Sequence, residues 1–413
     1  MNVSVSTKLA ARSLWRNPRR TLLSVLGIGI ACSVGLIHIG LTRGEWGLYG
    51  RAAAESGIGH LRLAPATWLD KRDPDLRLAD WRAELAAARA LPNVVVATPR
   101  ARMQGLLAIG NRIQSVEIAG VDPATEQAAL RFVRNVVAGR YLKADDRGAT
   151  VIGKTLAERL RVTLDDELVV TAVRKDGEME SALLRVVGIV ASGSREIDAG
   201  ICHVTLPDLE KLSGRAGAGE IAVVLADQKG LEAARAALAA VAAPGDAAVT
   251  WMEISPELRA GIEMDGGFAR ITITVIMLVV LLGVASAQLT AVLERRKEFA
   301  VLAALGMKGS RILRALMAEA VFLGAAGALV GLAIGGTIVW HWAAHGLDLR
   351  SLMSQEANVV AGVMADPIIF TDFGWWILRE AFVLCVGAAV LASLYPAYFA
   401  SRTDPADALR VAQ

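Results

Sequence analysis

Glu294-Arg295-Arg296-Lys297-Glu298-Phe299-Ala300-Val301-Leu302-Ala303-Ala304-Leu305-Gly306 joins two long apolar segments and differs in composition from both. Its front half is charged. Its back half is built of apolar helix formers, and Gly306 stands where a left-handed residue would stop a helix. Phe299, Leu302, Ala303 and Gly306 recur at helical spacing, so a short amphipathic helix would carry one oily stripe. Between two membrane spans, such a helix could press that stripe against a soluble partner. The other reading is a loop that merely turns the chain around, helped by its positive charge. The stretch alone leaves both open.

Outward from this joint, the 413-residue chain has a mean hydropathy of +0.44 and 54% hydrophobic residues. Four segments free of Asp, Glu, Lys and Arg are long enough to cross a bilayer as helix: Thr21–Thr42, Ile271–Leu293, Ala320–Trp340 and Ala381–Ser401. The first follows Arg19 and Arg20 but is too long for a signal-peptide core, so it reads as an uncleaved anchor. Basic residues set the orientation. Lys8, Arg12, Arg16, Arg19 and Arg20 precede the first span. Arg295, Arg296, Lys297, Lys308, Arg311 and Arg314 separate the second from the third, and Arg402 and Arg410 follow the fourth. All three regions are therefore expected in the cytoplasm, with the segment 43–270 outside.

The expected organisation runs in order along the chain. It is a surface helix (1–20), a span (21–42), the outer domain (43–270) and a span (271–293). A short cytoplasmic helix and its loop (294–314), a span (315–342), an outer loop (343–375), the last span (376–401) and a tail (402–413) complete it. Trp46, Tyr49, Trp340, Trp342, Trp375 and Trp376 would mark the outer membrane surface, and Trp15, Tyr395 and Tyr398 the inner one. A net charge of +3 gives no reason to expect nucleic acid. Cys32, Cys202 and Cys385 give no disulfide framework.

Lys8, Arg12, Arg16 and Arg20 repeat every four residues, which fits either a helix lying on anionic lipid with Trp15 off the basic stripe or a plain positive-inside flank, and both serve the same topology. Pro18 would turn the chain from it into the first span. Gly27, Gly29, Gly35 and Gly40 in that span, and Gly324, Gly327, Gly331 and Gly335 in the third, predict faces where helices approach closely. Glu319 is the one carboxylate at a hydrophobic stretch. It could pair with Arg311 or Arg314, or act in the mechanism. His38 reads as a buried hydrogen-bonding group.

The outer segment reads as an α+β domain of two lobes, its first and last parts sharing one of them. Helices are expected at Leu78–Leu91, Leu156–Leu160 and Leu231–Ala242. Strands are expected at Val94–Thr98, Gly105–Ile109, Ile113–Ala119, Thr150–Ile152, Glu167–Val173, Leu183–Val190, Ile221–Leu225 and Val249–Met252. Asp176-Gly177 marks a hairpin tip. Gly148-Ala149-Thr150-Val151-Ile152-Gly153-Lys154-Thr155 matches the P-loop pattern literally. However, Lys143–Arg147 before it is no buried strand, and Val151 and Ile152 are strand residues within the supposed loop, so no nucleotide is expected there. No metal-ligand, nucleophile-elbow or redox-dithiol motif occurs in the chain.

Several stretches together resemble the permease family that includes MacB, FtsX and the lipoprotein-releasing LolC/LolE proteins. They are Leu9–Leu26 with Arg12-Ser13-Leu14-Trp15-Arg16-Asn17-Pro18-Arg19-Arg20-Thr21, and Glu294–Gly306 with Arg311-Ile312-Leu313 and Glu319-Ala320. Val151-Ile152-Gly153, Leu184–Ile189 and Tyr395-Pro396-Ala397 through Asp404–Arg410 add to them. The resemblance implies a type VII ABC transporter subunit with four transmembrane helices and a two-lobed α+β periplasmic domain, in a bacterial inner membrane. It implies a dimer with a second permease copy or paralogue. A separate cytosolic ABC ATPase dimer, holding ATP and Mg2+, would grip Glu294, Arg295, Arg296, Lys297, Phe299, Leu302, Leu305 and Gly306. Periplasmic proteins, lipoproteins or lipids would be the substrates. The stretch Gly59-His60-Leu61 to Arg72-Asp73-Pro74 looks nearest the lipoprotein-release branch, although the Lys175–Ser181 tip is short for that branch's chaperone-binding hook. The alternative is an FtsX-like relay that activates a cell-wall hydrolase.

Overall fold

A computed structural model describes residues 18–71, 73, 76–349, 359–360, 363–364 and 368–402. They fall into two units. One holds the described residues up to Glu45, Glu263–Leu347 and those from Ile368 onward; the other is built mainly from Trp46–Ile262. Lys8, Arg12, Trp15 and Arg16 of the expected surface helix lie outside the described residues. Arg20 lies in the first turn of α1 (Pro18–Glu55).

The α+β unit continues with β1 (Leu61–Pro65), α2 (Trp68–Lys71), α3 (Trp81–Ala90), β2 (Val94–Ile109), β3 (Arg112–Val121) and α4 (Pro123–Ala129). Next come β4 (Val136–Gly139), β5 (Ala149–Gly153), α5 (Lys154–Leu160), β6 (Glu167–Val173), β7 (Met179–Val190), α6 (Arg195–Gly200), β8 (Cys202–Thr205) and α7 (Leu206–Ser213). β9 (Glu220–Leu225), α8 (Leu231–Val241), β10 (Asp246–Thr250) and α9 (Trp251–Ile254) complete it. The strands form one sheet in the order β10-β1-β9-β2-β3-β8-β5-β7-β4, with β6 paired to β2 and β7.

β1 opens the unit yet lies between the two strands that close it, Leu61 pairing with Val223 on one side and Thr250 on the other. The first and last parts therefore share a core of Leu61, Leu63, Leu85, Val223 and Leu238. A second core gathers Leu107, Ile118, Leu160, Leu168 and Leu209, and a third Val121, Leu142, Val151 and Val190. These regions are continuous through the sheet, because β2 runs for 16 residues and pairs with β9 at one end and β6 at the other. The separate strands expected at Val94–Thr98 and Gly105–Ile109 are thus one. Pro99 is tolerated within it because pairing with β3 begins only at Arg100, leaving β9 as the sole flank there.

Other boundaries moved for local reasons. The helix expected from Leu78 starts at Trp81, where Asp80 accepts a hydrogen bond from the Ala83 N–H. The strand expected to reach Met252 stops at Thr250, whose capping box with Glu253 starts α9. Gly177, at φ +87°, makes the tip of the β6–β7 hairpin. The P-loop lookalike is a fully buried strand, β5, leading into α5.

A row of charges, buried at Arg62, Glu220, Arg100 and Glu126, crosses the sheet. Arg62 on β1 lies 2.8 Å from Glu220 on β9, and Arg102 on β2 reaches Glu220 at 3.2 Å and also Glu117 on β3. Arg100 pairs with Glu126 at 2.9 Å. Burial by itself would raise the Glu220 pKa, but Arg62, Arg102 and Arg100 outweigh it and hold the carboxyl at about 2. Burial, then Arg100 and Arg102, push His203 down to about 3; burial, then Arg51, push His60 down to about 4.

The unfolded chain protonates these histidines near pH 6.5 and the fold does not. Their contribution to stability is therefore complete above about pH 6.5 and falls as pH drops, by about 1.4 kcal/mol per pH unit for each histidine. Glu84 and Asp246 act with the opposite sign, since burial raises both. The melting temperature of the α+β unit within the full chain is expected to fall from pH 7 to pH 5.5, and less steeply in His203→Gln. A flat profile, or an equal slope in the variant, would refute this account.

The other unit gathers the apolar part of α1 with α10 (Pro256–Glu294), α11 (Arg296–Ala304), α12 (Gly309–His345) and α13 (Trp375–Ser401). α1, α10, α12 and α13 are each long and apolar enough to cross a membrane. The α12 glycines are where helices meet. A Cβ on Gly327 would lie 2.6 Å from Ile28, on Gly331 2.4 Å from the Cys32 Cβ, and on Gly335 2.8 Å from the Ser33 Cα. On Gly324 it would lie 2.8 Å from Ala389 of α13. Ser33 Oγ uses the close approach to donate to the Gly331 carbonyl at 3.0 Å. Gly27 and Gly35 do not take part, having nothing within 4 Å of a built Cβ. Gly29 and Gly40 fill that role in α1, where a Cβ would lie 3.1 Å from Val330 and 2.8 Å from Val339 respectively.

Candidate functional site

The Glu294–Gly306 stretch folds as α11, set off from α10 by a turn at Arg295. Its C-terminus is a Schellman motif. Met307 N–H donates to the Leu302 carbonyl at 3.0 Å, Gly306 N–H donates to Ala303 at 2.9 Å, and Gly306 sits at φ +86°. A β-carbon would be strained at that φ, so glycine fixes where the helix stops.

The oily stripe faces the opposite way from the docking expectation. Phe299 is 5% exposed and packs with Val292, Ile312, Leu316, Ala397 and Ala400, and Leu302 leans on the same cluster. The residues left outside are Lys297, Val301, Ala304 and Leu305, the last 80% exposed. They too recur at helical spacing and form a second stripe. Spacing shows that a face is apolar, not what covers it. The nearest apolar surface is the chain's own bundle.

Glu319, nearly buried, is paired, but not with the expected arginines. Arg311 and Arg314 are exposed, and Arg295 reaches Glu319 at 3.2 Å. Arg295 also lies 3.4 Å from Glu298 and over the Phe299 ring at 5.2 Å. One guanidinium therefore ties the root of α11 to α12. Glu319 also borders a cavity of about 20 Å³ with Thr21, Ser24 and Gln288, room for a single water. Glu294 and Arg296 flank the turn, Glu294 exposed and Arg296 half-buried.

Elsewhere, His38 lies 3.3 Å from the Ala269 carbonyl. His345 and His341 stack at 4.5 Å. Among the described residues no group of three or more His, Cys, Asp or Glu could hold a metal. Cys32, Cys202 and Cys385 are free and buried.

Residues 21–241 match the MacB-like periplasmic core domain, and residues 270–405 match the FtsX-like permease C-terminal model. The lipoprotein-releasing system transmembrane protein LolC of Neisseria meningitidis serogroup B is 23% identical over 406 residues, spanning 94% of both chains. The LolC of Xylella fastidiosa strain Temecula1 is 24% identical over 344 residues, 80% of this chain and 81% of that one. The macrolide export ATP-binding/permease protein MacB of Hyphomonas neptunium is 25% identical over 422 residues, 98% of this chain and 61% of that one. A bundle of four membrane-length helices joined to an α+β unit, with matches covering both parts, assigns this chain to the MacB-like, FtsX-like family of ABC transporter permeases.

Proposed function

We propose that the chain crosses the bacterial inner membrane four times, with its α+β unit in the periplasm and both termini and α11 in the cytoplasm. It relays motion driven by a separate cytosolic ATPase, and ATP and Mg2+ bind in that partner. The similarity to LolC supports a lipoprotein, or another amphipathic molecule, as the substrate. Exposed apolar stripes such as Leu22, Leu23, Leu26 and Ile30 on α1, and Ile271, Val275, Leu278 and Leu282 on α10, support a lipid-facing bundle. The basic residues that bracket α11 support its placement at the cytoplasmic surface.

The observation that carries the coupling reading is the two-faced α11. Its inner face is packed into the bundle and tied by Arg295 to Glu319, while Val301 and Leu305 project outward. A partner that covers Leu305 can push on α10 and α12 together. Burying one such side chain is worth about 1.5–3 kcal/mol, so Leu305→Asp should weaken ATPase retention by about ten- to a hundredfold. Phe299→Ala should lower the melting temperature of the permease instead. The measurement is co-purification of the ATPase from native membranes with each folded variant. Full retention by Val301→Asp, Leu305→Asp would sink the reading. Mass spectrometry of the same preparations tests the substrate: a lipoprotein or lipid supports release or export, and a cell-wall hydrolase as the sole additional protein supports a relay.

A further inference from the structure

We infer that a groove in the α+β unit binds a single-chain anionic amphiphile, an acyl chain that ends in a carboxylate. The groove lies between α3, the neighbouring parts of β2 and β3, and the first turns of α4 and α7, and measures about 430 Å³. That is within the range of small-ligand clefts. Trp81, Leu85, Pro99, Pro123, Leu206 and Pro207 make its walls. Trp81 packs against both the β1–β9 core and the Leu107–Leu168 core, so this wall is anchored on two sides.

The three prolines determine what the groove can hold. None has an N–H to offer, and each ring fixes its own φ, so the lining is stiff and poor in donors. Pro123 and Pro207 are held in place by the caps of their helices, with Asp122 accepting from Ala124 N–H and Thr205 from Asp208 N–H. A peptide strand would find few backbone partners on such walls, whereas a hydrocarbon chain needs none.

The rim selects the charge. Arg82 is exposed, lies over the Trp81 ring at 4.5 Å and has no ion-pair partner among the described residues. Arg89 donates to the Ala97 carbonyl at 3.2 Å and lies 3.9 Å from Asp122. The Asp122 carboxylate already accepts from Thr125 at 2.9 Å. Two cations thus face one occupied carboxylate, and a ligand carrying its own anion at the mouth completes the set.

This site does not rest on the coupling reading, and its test needs no ATPase. The full chain in phosphatidylcholine nanodiscs is photolabelled with laurate carrying a diazirine near its methyl end, and the adducts are mapped by mass spectrometry. Label is expected on the peptides containing Trp81–Arg89 and Leu206–Pro207. Unlabelled laurate should compete about three- to fivefold better than lauryl alcohol, the difference one exposed ion pair supplies. Ala86→Trp fills the groove from an exposed helix position and should reduce labelling by about tenfold or more. Arg82→Glu should abolish the preference for acid over alcohol, with a thermal melt confirming that each variant is folded. Label confined to α1, α10, α12 and α13, undiminished label in Ala86→Trp, or equal competition by acid and alcohol would each overturn the proposal.

Discussion

Glu220→Gln is expected to destabilise the α+β unit by about 3–5 kcal/mol, the usual penalty for removing one member of a buried ion pair. The substitution keeps the shape of the side chain and removes its charge. Arg62, whose side chain is 4% exposed, would then keep a buried positive charge without its nearest counter-ion. Arg102 would suffer less, because it retains Glu117 and is more open to solvent. In a unit of this size each kcal/mol moves the melting temperature by about 2–4 °C, so a fall of about 10 °C is expected. Glu117→Gln provides the contrast: its carboxylate is 41% exposed, and such pairs are worth at most about 1 kcal/mol. Equal shifts in the two variants would show that the row is not organised around Glu220.

Gly331→Leu is expected to prevent close packing of α12 against α1. The new Cβ alone would lie 2.4 Å from the Cys32 Cβ and 2.6 Å from the Gly29 carbonyl oxygen, and a backbone carbonyl cannot swing aside. The change also spreads the hydrogen bond from Ser33 to Gly331. Overpacking of this kind costs about 3 kcal/mol, the upper end of its usual range. Gly27→Leu, in the same bundle with nothing within 4 Å, should leave the melting temperature nearly unchanged. Both variants would be purified in detergent and melted beside the parent chain. A stable Gly331→Leu, or an equally unstable Gly27→Leu, would show that this helix contact does not hold the bundle.

The contrast between these glycines shows how much the sequence can reveal. Runs without charge locate long helices because the requirement is local, and the Asp176-Gly177 tip locates a hairpin because turn chemistry is local. Glu167–Val173 was readable for the same reason, its alternation being complete within seven residues. Small residues show that some helix face is close to another but not which face, so of Gly27, Gly29, Gly35 and Gly40 only Gly29 and Gly40 make the contact. β1 carries only five residues and finds both partners far along the chain, which no window of local pattern detects. The stripe on α11 poses the same ambiguity. Both of its sides are apolar, and the side that carries Phe299 met the bundle. Arg295 gave no sign of reaching Glu319, because the pair depends on how a turn directs one helix against another.

The position of β1 also bears on biosynthesis. Its two neighbours, β9 and β10, are the last strands of the sheet to be made, so Leu61–Leu63 has nothing to pair with until Ile221–Val223 has been synthesised, and its other edge stays open until Thr250. At about 5–20 residues per second, the wait for that first partner is roughly eight to thirty seconds. Throughout it, Leu61 and Leu63, both buried in the finished fold, stand in an unpaired edge strand that can pair with the wrong chain. The nascent chain is therefore most vulnerable to aggregation and proteolysis during this interval, and a factor that shields emerging strands would act on β1.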